Sequence, residues 1–257
     1  MSSKEIDSSD LSRPAFTRVS LAEAERQVIE REFSRYVGEV IGMINDGKEA
    51  TVYLCRARPD VAEPGYFAAK MYRARKFRAF ASDANYINPD KIRDRRMAKA
   101  MRQRTRHGRE AAHHLWIDRE WQMLEMLHAA GASVPVPYMH CSDGILMEYI
   151  GRDGERAPAL VELRLSVDEA ERAFAKVLRD IEILLDCRVV HGDLSAYNIL
   201  YLDDTPRLID LPQATRIDDS PDPWTLFHRD IVNVCDYFRR RGVDVDALDL
   251  ALRLWRG

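Results

Sequence analysis

The chain has 257 residues, 46% of them apolar and 32% charged, with 39 Lys and Arg against 42 Asp and Glu for a net charge of −3. That balance excludes collagen-like, coiled-coil and fully disordered chains, and it supplies apolar material for one large domain or two small lobes. The four cysteines (Cys55, Cys141, Cys187 and Cys235) lie far apart with no C-x-x-C pair, which argues against a zinc site or disulfide framework and fits a reducing compartment. The start, Met1 to Asp10, is polar and acidic, unlike a signal peptide, and no apolar run approaches the roughly 20 residues that span a bilayer. A soluble cytoplasmic chain with no membrane contact is expected.

Residues 1–19 read as a flexible N-terminus. Ser20-Leu-Ala-Glu23 is a capping box that predicts a helix to about Arg35. Val37–Met43 and Thr51–Arg56 read as strands around a tight Asn45-Asp46-Gly47 turn, and Tyr66–Tyr72 as a third strand. A basic insert follows, about 73–110, partly helical from Lys91. Between Lys70 and Arg109 stand fourteen Lys or Arg and three Asp or Glu, about +11 inside an acidic remainder. Such a block is either a solvated, mobile loop or a contact for phosphates, RNA or an acidic partner. Ala111–Ala130 predicts a helix stopped by Gly131. Pro135 and Pro137 force an extended passage, and Ile145–Tyr149 is a short strand.

Past Gly151 the character changes. Ser166-Val-Asp-Glu169 is a second capping box, and Phe174, Val177, Leu178, Ile181, Leu184 and Leu185 make one apolar helical stripe. Ile199–Leu202 and Arg207–Leu211 read as a hairpin around residues 203–206, followed by helices over Leu226–Arg240 and Ala247–Trp255. Strands dominate 20–150 and helices 151–257. That predicts an α+β, two-lobed fold, strand-rich then helical, with a cleft between the lobes.

The chemistry concentrates in His191-Gly-Asp193-Leu-Ser-Ala-Tyr-Asn198 and Leu208-Ile-Asp210. A turn at 203–206 pairs Leu202 with Arg207 and sets Ile199 opposite Asp210, so Asn198 and Asp210 converge at the open end of the hairpin. An amide oxygen beside a carboxylate is a hard donor set that suits Mg²⁺ bound with nucleotide phosphates. Asp193, on the loop into the same hairpin, can accept a proton or orient a nucleophile. Lys70 sits in the apolar strand Phe67-Ala-Ala-Lys70-Met, where an unpaired ammonium is costly. Glu120 lies on the apolar stripe of the 111–130 helix with Trp116, Met123 and Leu127, and a Lys70–Glu120 pair would aim the ammonium at the α and β phosphates of a nucleotide. An exposed pair between Glu120 and a neighbouring Arg is the alternative. Gly47 and Lys48, in Asn45-Asp46-Gly47-Lys48-Glu49-Ala50, cap the hairpin before the lysine strand. Backbone amides there can face phosphate oxygens, although an ordinary hairpin turn with an exposed lysine has the same composition.

Together these residues resemble the RIO family of atypical protein kinases and ATPases, most closely its RIO1 branch, over about Val37 to Val243. Gly47-Lys-Glu-Ala50 is similar to the family's phosphate loop, Lys70 and Glu120 to its lysine–glutamate pair, and Met147-Glu-Tyr-Ile150-Gly151 to its hinge. His191-Gly-Asp193-Leu-Ser195 through Asn198 resembles the catalytic loop, Ile209-Asp210-Leu-Pro-Gln213 the metal-binding segment, and His228-Arg-Asp230-Ile-Val-Asn233 the C-terminal helix. Two positions depart from the pattern: Asn45-Asp46 where Ser-Thr is usual, and Ala196 in place of Glu. The resemblance implies a protein-kinase-like fold without an extended substrate lobe, using ATP and Mg²⁺ or Mn²⁺. It implies that Asp193 is the catalytic base, that Asn198 and Asp210 hold the metal, that Asp210 can carry an aspartyl-phosphate, and that hinge backbone at Glu148 and Ile150 holds adenine. It implies a protein substrate, or the chain itself in autophosphorylation, with RNA or a ribosomal particle as a partner of the basic insert. Aminoglycoside- or choline-kinase-type phosphotransferases share H-G-D-x4-N, but Leu211-Pro-Gln213 differs from them, and 47 residues after Asp210 are few for their helical region. An ATP-docked RNA- or protein-binding module is the reading from outside the enzymes.

Overall fold

The computed structural model describes residues 15–47, 50–61, 65–72, 99, 103 and 105–256. Lys48 and most of the basic insert, including its expected helix from Lys91, lie outside the described residues. Five helices are described: α1 (Ala15–Glu32), α2 (Arg106–Ala129), α3 (Val167–Asp186), α4 (Pro223–Arg239) and α5 (Ala247–Arg256). Strands β1 (Val37–Asp46), β2 (Ala50–Ala57), β3 (Tyr66–Tyr72), β4 (Pro137–Cys141) and β5 (Gly144–Glu148) form one five-stranded sheet in the order β1-β2-β3-β5-β4, with every neighbour antiparallel. The architecture is α+β, a sheet followed by a helical region.

Strand β3 explains how the sheet is used. It is central, and its side chains alternate between two covered faces. Phe67, Ala69 and Met71 join Ile29 and Phe33 at the end of α1 in one apolar cluster. Tyr72 points the other way and packs with Ile145 against Ile117, Leu124 and Leu127 of α2. Ala68, with Val52 and Met147, continues that second face away from α2. Lys70 therefore projects between α2 and the open part of the face. The helical region is built on α3, which buries Ala173, Phe174, Val177, Ile181 and Leu184, and α4, which buries Phe227, Ile231, Val234 and Phe238. Ser166 caps α3 as its sequence predicts: its hydroxyl accepts from Glu169 N–H, and the Glu169 carboxylate accepts from Ser166 N–H at 2.8 Å.

Several local expectations are corrected. Helix α1 begins at Ala15, so Ser20 lies within it and does not cap it. Strand β1 runs on through Asn45 and Asp46, which pair with Val52 and Thr51, and the hairpin closes on a bond from Gly47 N–H to Ala50 O. Three register shifts along β1 carry it past the expected turn, because each bulge adds a residue to one strand only. Short strands follow in pairs, β6 (Gly151–Arg152) with β7 (Glu155–Arg156), β8 (Val189–Val190) with β11 (Thr215–Arg216), and β9 (Ile199–Leu202) with β10 (Thr205–Leu208); the last pair sets Thr205 opposite Leu202 and Leu208 opposite Ile199. Its turn is only Asp203-Asp204, both left-handed with φ of 49° and 57°, the mirror-image type that follows strand twist. Asp210 therefore lies beyond the hairpin, not opposite Ile199.

Candidate active site

Lys70 is 7% exposed, and its Nζ donates to Glu120 Oε1 at 2.7 Å and to Asp210 Oδ1 at 2.7 Å. The Tyr72 hydroxyl donates to the second Glu120 oxygen at 2.6 Å. Tyr72 was not among the site residues expected from sequence. The available signal was its position two residues after Lys70, which puts both on one face of β3. Burial works against charge on Lys70, but the carboxylates of Asp210 and Glu120 outweigh it and hold its pKa above the ordinary lysine value. Glu120 is pushed up by burial, against the pull of Lys70. Asp210 is held below the ordinary carboxylate value, first of all by Lys70. Charged Lys70 is thus the counter-ion of both acids.

The loop from His191 to Asn198 is held from below by α4. Asp230 is buried, and its two oxygens accept from Gly192 N–H at 2.7 Å and Leu194 N–H at 2.9 Å. Arg229 donates to Gly192 O, and Asn233 Nδ2 donates to Leu194 O at 3.2 Å. Sequence reading marked these three as part of a family helix but gave them no role. Three side chains spaced along one helix fix both backbone groups of Gly192 and of Leu194, on either side of Asp193. Gly192 has φ +79°, and a Cβ there would stand 2.7 Å from Gln213 O, so no other residue fits. His191 is fully enclosed, and burial holds it in the neutral form. Its Nε2 is 3.2 Å from Ile209 O, which assigns the proton to Nε2 and ties the catalytic loop to the residue before Asp210.

Asp193 itself is exposed to the cleft. Asn198 Nδ2 donates to Asp193 O at 2.8 Å and approaches Asp193 Oδ2 at 3.4 Å, which leaves the amide oxygen of Asn198 for a ligand. Ile209 N–H donates to Asn198 O at 2.9 Å, extending the β9–β10 ladder one step toward Asp210. Asp210 takes φ +67°, a left-handed conformation that Asp tolerates and that turns the chain sharply after the hairpin. With Oδ1 on Lys70, its Oδ2 remains. An amide oxygen and a carboxylate oxygen on one wall are hard donors, and that chemistry fits Mg²⁺ or Mn²⁺ shared with phosphate oxygens.

Lys70, Glu120, Asp193, Asn198 and Asp210 open into one cleft of about 540 Å³, also lined by Gly47, Glu148 and Ile150. Val52, Ala68 and Met147 line it from the sheet, and Leu200 and Ile209 from the helical region. Opposed aliphatic walls of this kind suit a flat, apolar ring. At the hinge, Glu148 N–H bonds to Val136 O, and its carboxylate accepts from Val136 N–H at 3.1 Å. Ile150 O accepts from Ala157 N–H at 3.0 Å, and both Glu148 and Ile150 line the cleft. Among the described residues no group of three or more His, Cys, Asp or Glu could hold a metal on its own, so a metal here would depend on the ligand's oxygens.

The family model described as the RIO domain matches residues 51–250. The chain belongs to the RIO family. It is 29% identical to the RIO-type serine/threonine-protein kinase Rio1 of Methanocaldococcus jannaschii over 218 residues, 84% of this chain and 68% of that protein. It is 31% identical to the Rio1 kinase of Haloferax volcanii over 205 residues, 80% of this chain and 65% of that protein. The human serine/threonine-protein kinase RIO1 is 29% identical over 81% of this chain, which spans only 35% of the human protein's length. The matched RIO range takes in the lysine strand, the catalytic loop and α4. Asn45 and Gly47, which also line the cleft, lie before it.

Proposed function

We propose that this chain is an ATP-dependent phosphotransferase, an atypical serine/threonine protein kinase and/or ATPase of the RIO type. The observation that carries this reading is Lys70, which bridges Glu120 and Asp210 within a cleft that also presents Asp193 and Asn198. In it, adenine lies between the aliphatic walls and is read by Glu148 and Ile150. Lys70, oriented by Glu120, binds the α and β phosphates. Gly47 faces the outer phosphates. Asp193 orients the attacking hydroxyl or water and accepts its proton, while neutral His191 keeps the loop shape through Ile209 and carries no charge into the reaction. A Mg²⁺ or Mn²⁺ ion held by Asn198 and Asp210 would offset charge on the phosphates.

Asp210 has a second proposed role. Its free carboxylate oxygen can attack the γ phosphorus, forming an acyl phosphate while the bond to the β-bridging oxygen breaks and ADP leaves; water then releases phosphate and restores the carboxylate. The protein acceptor, or autophosphorylation, and an RNA or ribosomal-particle contact through the basic insert also belong to this reading. A time course with γ-labelled ATP, separating free phosphate from labelled protein, tests it. Hydroxylamine-labile label that is lost in Asp210→Asn supports the acyl phosphate. Stable label on Ser or Thr assigns Asp210 to the metal alone.

A further inference from the structure

Glu120 can orient Lys70 only if α2 stays fixed relative to the catalytic loop. The residue beside it, Arg119, leaves α2 on the side of the helical region and donates from Nη2 to Thr215 Oγ1 at 2.8 Å. Thr215 is 3% exposed and lies in β11 (Thr215–Arg216), five residues after Asp210. Strand β11 pairs with β8 (Val189–Val190), Thr215 opposite Val190, and Val190 runs directly into His191. A single residue step of α2 thus separates Glu120 from a bond to the ribbon that leads into the His191–Asn198 loop. Two helical turns further along α2, Arg216 Nη1 approaches Met126 Sδ at 3.9 Å from the same ribbon. The Arg119 guanidinium is partly buried, and Asp219 of the segment after β11 offsets part of that cost electrostatically. The Thr215 hydroxyl, accepting from Arg119, also donates to Arg216 O at 3.5 Å.

We infer that Arg119 and Thr215 are a positioning pair that locks α2, and through Glu120 the Lys70 ammonium, in register with the catalytic loop. The pair touches neither nucleotide nor reacting atoms, and its role rests on the phosphotransfer reading above. Thr215→Val keeps the shape of the buried side chain and removes only the hydroxyl, while Thr215→Ser keeps the hydroxyl. In the full chain, Thr215→Val is expected to lower kcat/KM for ATP roughly tenfold, the scale of one hydrogen bond to a charged group. Thr215→Ser should restore most of it, with the thermal midpoints of both variants close to wild type. In a Glu120→Gln background, Thr215→Val should add little, because the path through Glu120 is already broken. Hydrogen exchange in the nucleotide-free protein should be faster in α2 around residue 120 for Thr215→Val and unchanged in α3. Undiminished kcat/KM in Thr215→Val, an equal loss in the Glu120→Gln background, or unaltered α2 exchange overturns the pairing. A wild-type chain that binds ATP without turning it over overturns the phosphotransfer reading and the catalytic role of the pair with it, while the exchange rates separately decide whether the tether holds α2.

Discussion

Two buried acids near the cleft, Glu120 and Asp230, are used differently. Glu120 is matched to a cation and a phenol, so removing a partner strands a charged oxygen. Tyr72→Phe leaves one Glu120 oxygen without its donor and should cost about 1–3 kcal/mol of stability, read from denaturant unfolding. Asp230 accepts from two backbone amides and has the Arg229 charge nearby, yet burial pushes its pKa up to about 7 from 3.8. The folded chain then holds a proton between those values that the unfolded chain has lost, so this group's contribution is full below about pH 4 and fades as pH rises to about 7. Asp230→Asn should flatten that part of the stability profile, measured by unfolding at several pH values; an unchanged slope would show that Asp230 stays ionised throughout. Asp193 differs again, being exposed and outside the structural network. Asp193→Ala should abolish turnover while calorimetric Mg-ATP affinity stays near wild type, and joint loss of both would give Asp193 a binding role.

At the scale of single elements, what was legible depended on whether one residue pair or a longer register set the outcome. The Ser166–Glu169 capping box is local, and its start of α3 was read directly; Ser166→Ala should cost about 1 kcal/mol, seen in thermal unfolding. Gly131 likewise ends α2 with φ +87°. The Ser20–Glu23 pair has the same composition, yet it lies inside α1, since a capping motif does not prevent an upstream turn from joining the helix. Strand registers were the weak point. In β1, bulges moved Asn45 and Asp46 from a turn into the ladder, and at 203–204 two consecutive left-handed Asp residues shortened the hairpin loop by two residues on the far strand. Without glycine in that turn, the sequence carries little sign of it. Replacing Asp203-Asp204 with Asn-Gly, which adopts this turn with less strain, should raise the thermal midpoint without moving the register. Asn198 and Asp210 still share one wall of the cleft, because the bond from Ile209 N–H to Asn198 O and the left-handed Asp210 replace the cross-strand pairing first inferred.

Across the whole molecule, the groups of the cleft come from both regions of the chain, and among the contacts that relate them are Lys70 to Asp210, Arg119 to Thr215, and the bonds of Ser133, whose N–H donates to Asp180 Oδ1 at 2.8 Å and whose O accepts from Leu208 N–H at 2.7 Å. The motif residues that carry chemistry were visible in sequence because each type has few uses in an apolar setting. The contacts that hold the two regions together were not, because Arg119, Thr215 and Asp180 are ordinary residues whose meaning depends on what faces them. The described groups that line the cleft come from outside 73–104, most of which lies outside the described residues. Replacing residues 76–95 with a Gly/Ser linker should leave basal ATP hydrolysis within several-fold and weaken binding to polyanions, measured by a phosphate-release assay beside RNA titration. The most direct measurement of the central claim is Mg-ATP turnover by the purified full chain, wild type beside Lys70→Met and Asp193→Ala. Metal-dependent turnover in the wild type, lost in both variants, is the result expected; turnover that survives in both would contradict the assignment of this cleft as the site of phosphoryl transfer.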